Sequence, residues 1–276
     1  MVVEPLDECQ LQDLARLLRF DVLEMTCRHH GHLSSCYSCA EILAVLYKGG
    51  VMRYDPAQPW WPERDRFVLS KGHAAPVFYA ILARAGFFPL EKLRFFREAD
   101  SPFHGHPLAR TLPGIENTSG SLGQGLSFGL GCALAGRLAR QDYRTYVLLG
   151  DGECQEGQIW EAAMAASHWH ADRLTAIVDY NGYQQSGPIS QEMALEPFAD
   201  KWRSFGWHAQ EVDGHDVVAL QAALRVAQTI VGRPTVIIGH TVKGKGVSFV
   251  EKDFSFHGKG LSPEQAARAR EELGCH

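Results

Sequence analysis

Two short apolar runs constrain the fold more than any other part of the chain: Thr145-Tyr146-Val147-Leu148-Leu149 and Thr175-Ala176-Ile177-Val178-Asp179. Neither alternates apolar with polar residues. A strand of that kind cannot keep one face in water, so it belongs in a parallel sheet covered by helices on both sides. Weaker signals mark strands over residues 66–70, 207–212 and 235–239. Between the strands the apolar spacing is helical. Leu11, Leu14, Leu17, Leu18 and Val22 recur within residues 8–27, and further helices are predicted over 39–47, 74–85, 121–138, 158–168, 195–204, 217–227 and 263–273. Ser38 is placed to cap the second helix, and Pro263 opens the last. The alternation, with no repeat or linker, predicts an α/β chain. It would be one domain over residues 1–276, a doubly wound parallel sheet flanked by helices. Residues 98–120 hold Pro102, Pro107 and Pro113 and form a long loop; such loops in compact domains often carry function.

Charge and cysteine content narrow the partners. A net charge of −5 gives no electrostatic basis for binding nucleic acid or an anionic membrane. Cys9, Cys27, Cys36, Cys39, Cys132, Cys154 and Cys275 are odd in number and irregular in spacing. A disulfide framework is therefore not expected, and a reducing cytoplasm fits better. Cys36-Tyr37-Ser38-Cys39 has no second Cys or His pair at zinc spacing and reads as structural. Glu4, Asp7 and Glu8 argue against a signal peptide. No apolar run reaches the ~18 residues of a membrane span.

Chemistry concentrates where the two central strands end. Gly150-Asp151-Gly152-Glu153 follows the first, and Asn181 follows the second. Asp and Asn are hard oxygen ligands suited to Mg²⁺ or Ca²⁺. Parallel neighbours would bring both to the carboxyl edge of the sheet, where open α/β sheets bind ligands. The Tyr183 carbonyl could supply a third oxygen, and two diphosphate oxygens and a water would complete an octahedron. Gly150 and Gly152 let the turn approach a phosphate closely, and Gly152-Glu153 would open a helix whose free N–H groups favour an anion. An Asp capping an ordinary strand-to-helix turn gives the same local pattern; the Asn after a second strand is what favours a metal.

These residues and several others, in order, resemble the transketolase family. The likeness runs from about Gly31 to Gly258. It includes Gly31-His32, Ser70-Lys71-Gly72-His73, Gly105-His106-Pro107, Leu112-Pro113-Gly114, Gly120-Ser121-Leu122-Gly123-Gln124-Gly125, Gly150-Asp151-Gly152 with Asn181, and His257-Gly258. The pattern is most similar to the diphosphate-binding N-terminal subunit of two-chain transketolases. The resemblance implies thiamine diphosphate as cofactor, with Mg²⁺ or Ca²⁺ held by Asp151, Asn181 and the Tyr183 carbonyl. Gly120, Ser121, Leu122, Gly123, Gly150, Gly152, Glu153, Asn181 and Glu156 would surround the cofactor, Glu156 as an interfacial glutamate between paired sites. A first-turn glutamate favoured by a helix dipole is the plainer reading of Glu156.

By the same resemblance four histidines would be catalytic. His32 and His257 would serve donor cleavage and acceptor protonation, His106 would hydrogen-bond the two-carbon fragment, and His73 would contact diphosphate and substrate. A side chain that titrates near neutrality suits proton removal from a sugar hydroxyl. His29, His30, His104, His168, His170 and His208 match nothing in the family pattern. Lys243-Gly244-Lys245-Gly246 follows the last strand and could face a phosphate or form a surface turn. Leu33-Ser34-Ser35 stands where many full-length members have Pro-Gly, Tyr183 is bulkier than usual, and Ser186 replaces a frequent Asp.

The family's activating glutamate and pyrimidine pocket lie in a following domain, and this sequence stops at His276. The expectation is a chain inactive alone, completed by a C-terminal partner subunit in a heterotetramer of two plus two chains. The implied reaction moves a two-carbon ketol unit from a ketose, in the family's usual case a phosphate, to an aldehyde. Three alternatives stay open: an aminoaldehyde or modified-sugar acceptor in specialised metabolism, a 2-oxo acid dehydrogenase alpha-type subunit, and a silent scaffold.

Overall fold

The computed structural model describes residues 4–274; Cys275 lies outside them. Five strands form one sheet: β1 (Arg66–Leu69), β2 (Thr145–Gly150), β3 (Leu174–Tyr180), β4 (His208–Asp213) and β5 (Thr235–His240). All pairings are parallel, in the order β1-β2-β3-β5-β4. The helices are α1 (Glu8–Arg28), α2 (Leu33–Tyr37), α3 (Ala40–Lys48), α4 (Ala75–Arg84), α5 (Gln124–Leu138), α6 (Gly157–His168), α7 (Ile189–Glu192), α8 (Phe198–Ser204), α9 (Val217–Thr229) and α10 (Pro263–Glu272).

Strand side chains alternate between two apolar layers. Phe67, Leu69, Tyr146, Leu148, Ile177 and Ile237 join the cluster formed with α1, α3, α4 and α9. Val68, Val147, Leu149, Ala176, Val178, Val236 and Ile238 join that of α5, α6 and α8. Every residue of β2 is buried, as its continuous apolar run requires. Gly150 pairs with Asp179, and Asp179 with Gly239, so the ends of β2, β3 and β5 align at one edge of the sheet. Among the described residues no helix is long and apolar enough to cross a membrane.

Local chemistry moves several boundaries. Ser38 does not cap α3; its hydroxyl donates to Asp179 Oδ2 at 2.6 Å, and the N-cap position falls to Cys39 without a side-chain bond. The helix expected from residue 121 starts at Gln124, because Gly123 is left-handed with φ +83°. The Asp151 turn opens not an α-helix but a 3₁₀ turn, Gly152–Gln155; α6 begins only at Gly157, after the extended Glu156. Trp207 precedes β4 rather than starting it: its buried ring packs on Trp202, and its indole N–H bonds the Ala163 carbonyl at 2.9 Å.

The first turn of α5 lies against the end of β1. A Cβ at Gly125 would stand 2.4 Å from Ser70 Cβ, whereas one at Gly131, on the outer face, would meet nothing within 4 Å. Gly125→Ala therefore lowers stability by roughly 1–3 kcal/mol through overpacking. Gly131→Ala in the same helix raises it by up to about 1 kcal/mol through helix propensity. Thermal melts of the two variants check both signs.

Candidate active site

The carboxyl ends of β1, β2, β3 and β5 open into a cleft of about 360 Å³. Beneath it lies a buried ion pair. Lys71 leaves the end of β1 and Asp179 the end of β3, and the Lys71 ammonium contacts Asp179 Oδ2 with both side chains essentially inaccessible. Asp179 also accepts hydrogen bonds from the Ser38 and Thr241 hydroxyls, and Lys71 donates to the Ser35 carbonyl at 3.1 Å. Burial alone would raise Asp179, but the Lys71 charge and these donors hold it below the ordinary carboxylate value. Burial would likewise strip the Lys71 proton; Asp179 overcomes that and keeps the ammonium charged. One pair thus ties α2 and the loops after β1, β3 and β5 to a single point.

The residues expected to supply metal oxygens line the same cleft. Asp151 Oδ1 accepts the Gly152 N–H at 2.8 Å and Oδ2 the Gly182 N–H at 2.6 Å. Burial, then the Asp179 charge, push Asp151 up to about 7. Such a carboxylate is short of positive charge, and a divalent cation would supply it. Asn181 and Tyr183 line the same cleft, with Asn181 Oδ1 accepting the Tyr183 N–H at 3.1 Å. Gln184 Oε1, also in the lining, is buried without a hydrogen-bond partner. No three His, Cys, Asp or Glu side chains cluster as a metal site among the described residues. The predicted set of one carboxylate, one amide and one carbonyl would not register as such a cluster. The residues present fit a hard cation whose remaining ligands are diphosphate oxygens and water.

Glu153 lines the cleft but has other work. Its carboxylate accepts the Ser70 hydroxyl and the N–H groups of Gly123 and Gly150, each N–H at 2.9 Å. It knots three loops together, so the Gly123 and Gly150 amides point at Glu153 and not at an incoming phosphate. Gly120, Leu122, Gly150 and Gly152 lie in the lining; Ser121 and Gly123 are outside it. Glu156 stands exposed at the cleft margin.

His32, His73, His106 and His257 come from four distant segments and meet in the cleft. The His32 ring lies 5.2 Å from His73, 6.1 Å from His106 and 5.0 Å from His257, centre to centre. Burial and neighbouring cations disfavour their charged forms. Burial, His106 and Lys243 take His32 down to about 4, and burial with Lys243 takes His257 down to about 3. His73 is driven well below its ordinary value, chiefly by burial and Lys71, and His106 is lowered by burial and Arg97. The cluster is neutral at pH 7. None of His29, His30, His104, His168, His170 and His208 lines the cleft.

Lys243 is fully buried and lines the cleft. Its ammonium contacts Ser35 Oγ at 3.2 Å and His257 Nδ1 at 3.1 Å. Burial and the Lys71 charge lower it to about 8. Its backbone is fixed by His215, which sequence reasoning passed over. His215 Nε2 accepts the Val242 N–H at 2.8 Å, and Nδ1 contacts Glu41 at 3.0 Å; Glu41 in turn is paired with Arg19 at 2.6 Å. A backbone N–H can only donate, so His215 carries its proton on Nδ1. The Asp213-Gly214-His215 turn after β4 was the available signal.

Three comparisons bear on this geometry. Residues 8–276 match the family described as transketolase, thiamine diphosphate binding domain. The chain belongs to the transketolase family. It is 44% identical over 243 residues to the 6-deoxy-6-sulfo-D-fructose transketolase subunit SqwG of Clostridium sp. (strain MSTE9), covering 88% of each chain. It is 40% identical over 243 residues to an apulose-4-phosphate transketolase subunit of Phocaeicola vulgatus, covering 88% of this chain and 86% of that protein. The crystal structure of a transketolase from Campylobacter jejuni superposes with a TM-score of 0.92 at 31% identity, covering 98% of this chain and 43% of that one. The chain therefore spans about the length of the subunit-type transketolases it resembles and less than half of the crystallised enzyme.

Two measurements check the electrostatics. Asp179→Ala leaves the buried Lys71 charge unpaired and lowers stability by roughly 3–5 kcal/mol, while the double change to Lys71→Met and Asp179→Leu recovers much of it; denaturant unfolding reads both. The histidines make the chain acid-sensitive. His32 and His257 fall from 6.5 to about 4 and about 3 in the folded chain, so between pH 6.5 and about 3 the unfolded chain takes up protons that the folded one refuses. Stability is lost over that window as pH falls, and His32→Asn with His257→Asn flattens the loss.

Proposed function

We propose that this chain is the diphosphate-binding subunit of a two-chain transketolase, which moves a two-carbon ketol unit from a ketose to an aldehyde. The observation that carries the reading is the cleft itself, which Asp151, Asn181 and Tyr183 line together with four neutral histidines, Lys71 and Lys243. When bound, thiamine diphosphate supplies a nucleophilic carbon able to break and form carbon–carbon bonds. The protein's own residues do the rest. Asp151, Asn181 and the Tyr183 carbonyl would hold Mg²⁺ (or Ca²⁺), which would neutralise diphosphate charge. Lys71 and Lys243 would add positive charge to the same cleft, which Gly120 and Leu122 also line. His32 is neutral at pH 7 and free to take a proton from a sugar hydroxyl, and His106 and His73 orient the fragment through hydrogen bonds.

A partner subunit supplies the pyrimidine half of the site and the activating glutamate. Support comes from the two relatives named as subunits, whose lengths this chain nearly matches. A heterotetramer of two plus two chains is further supported by the outer faces of α5 and α6. Phe128, Leu138 and Met164 are exposed there, Gly131 and Gly157 have open space over them, and Glu156 sits at the edge. An apolar face of this kind suits a two-fold contact, and Glu156 would then become interfacial. The free thiols of Cys9, Cys27, Cys36, Cys39, Cys132 and Cys154 fit a cytoplasmic setting.

The donor is read as a ketose bearing a terminal anion. The two subunit-type relatives are named for a sulfonate and a phosphate sugar, so both headgroups belong in the first substrate panel, beside uncharged and amino acceptors. Calorimetry with thiamine diphosphate and Mg²⁺, in the presence of the partner, tests the cofactor assignment. Saturable, metal-dependent binding is expected, and Asp151→Asn should weaken it at least tenfold; equal binding by the variant contradicts the metal role. Phe128→Asp should shift the complex toward one-plus-one chains in light scattering, and an unchanged mass contradicts the two-fold contact.

A further inference from the structure

The contact between Lys243 and His257 has a chemical consequence. An ammonium donates hydrogen bonds and cannot accept them, so a ring nitrogen 3.1 Å from Lys243 Nζ must offer its lone pair. In a neutral imidazole only one nitrogen carries the proton. We propose that Lys243 is a positioning residue that fixes the tautomer of His257, holding Nδ1 as acceptor and leaving the proton on Nε2, so that His257 acts on substrate as a neutral hydrogen-bond donor.

The surroundings enforce this arrangement. The Lys243 backbone is held on both sides and its side chain is buried: the Val242 N–H is bonded to His215, the Gly244 N–H to the Ser34 carbonyl at 2.9 Å, and the Lys252 N–H to the Lys243 carbonyl at 2.9 Å. The groups that bear on His257 are Lys243, Lys71, His32, His73 and Ser35, among which there is no carboxylate to accept a proton from Nδ1. Ser35 Oγ lies 3.4 Å from Nδ1, but it already accepts from Lys243 and is the more distant donor. Burial first, and then the Lys243, His32 and Lys71 charges, disfavour the imidazolium form of this ring.

The inference rests on the ketol-transfer reading only for what Nε2 meets. There it would donate to the oxygen of the acceptor aldehyde as negative charge develops on it. The gain is electrostatic, from a donor set in place before reaction; the proton that completes the product hydroxyl is the one His32 took from the donor hydroxyl, returned directly or through water. This differs from direct proton delivery to the acceptor by His257, one of the two roles that the resemblance implies for His32 and His257.

The test needs neither cofactor nor partner. The full chain with ¹⁵N-labelled histidine is examined by two-bond ¹⁵N–¹H spectroscopy at pH 7, with His257→Asn assigning the signal. The expected result is His257 protonated at Nε2 and bare at Nδ1. Lys243→Met should release both tautomers and raise the pH at which His257 protonates by roughly 1–3 units, while Lys243→Arg keeps the wild-type pattern. Thermal melts confirm which variants fold. Ser35→Ala serves as the second arm: the Nε2–H tautomer should survive it. A wild-type ring protonated at Nδ1, a folded Lys243→Met variant with an unchanged His257 signal, or loss of the tautomer in Ser35→Ala would each overturn the proposal. Failure to find ketol transfer would leave the tautomer result standing, so the two readings fail separately.

Discussion

The Lys71–Asp179 ion pair is the interaction on which the rest of the site depends. It is fully buried between the ends of two strands that are not adjacent, β1 and β3. A buried pair is weak evidence for net stability, because two charges must be desolvated to make it. Its value here is placement. Ser38, Thr241 and Ser35 close on the same two side chains, so α2 and the loops after β1, β3 and β5 are registered to one another before any ligand arrives. Glu153 repeats the device one strand away and ties the loops after β1 and β2 to the Gly123 turn.

These anchors shape the electrostatics above them. Two buried lysines line the cleft and create a field suited to an anion, and burial together with neighbouring cations keeps the histidines neutral. Asp151, buried and near Asp179, is pushed in the opposite sense. In the proposed function a diphosphate and a metal would answer both demands together, one offering negative charge to the lysines, the other positive charge to Asp151. The folded chain is thus charged in a pattern complementary to its cofactor, at the expense of acid stability.

The sequence carried the parts of this that are local. Apolar runs buried on both faces announced the sheet. Asp151, Asn181 and the four histidines stood out because each follows a strand or sits beside a Gly or Pro turn, and order along the chain matched a family. What depends on distance in sequence was hidden. Asp179 read as the last residue of a strand, and its partner is 108 positions away. Glu153 looked like a cofactor contact because its neighbours were glycines, yet its hydrogen bonds go to loops that only the fold brings together. His215 acts through a backbone N–H that leaves no trace in a motif, and Ser38, an apparent cap, spends its hydroxyl on Asp179. Helix ends moved by a few residues where a left-handed glycine or a 3₁₀ turn intervened, which apolar periodicity does not report.

The central claim is that this chain builds the diphosphate half of a transketolase site and needs a second subunit to work. It is tested most directly by assaying ketol transfer with the pure chain, thiamine diphosphate and Mg²⁺, before and after adding a subunit that carries the pyrimidine half. The predicted result is no turnover from the chain alone and turnover that saturates at equal amounts of the two chains. Robust ketol transfer by the chain without a partner would contradict it.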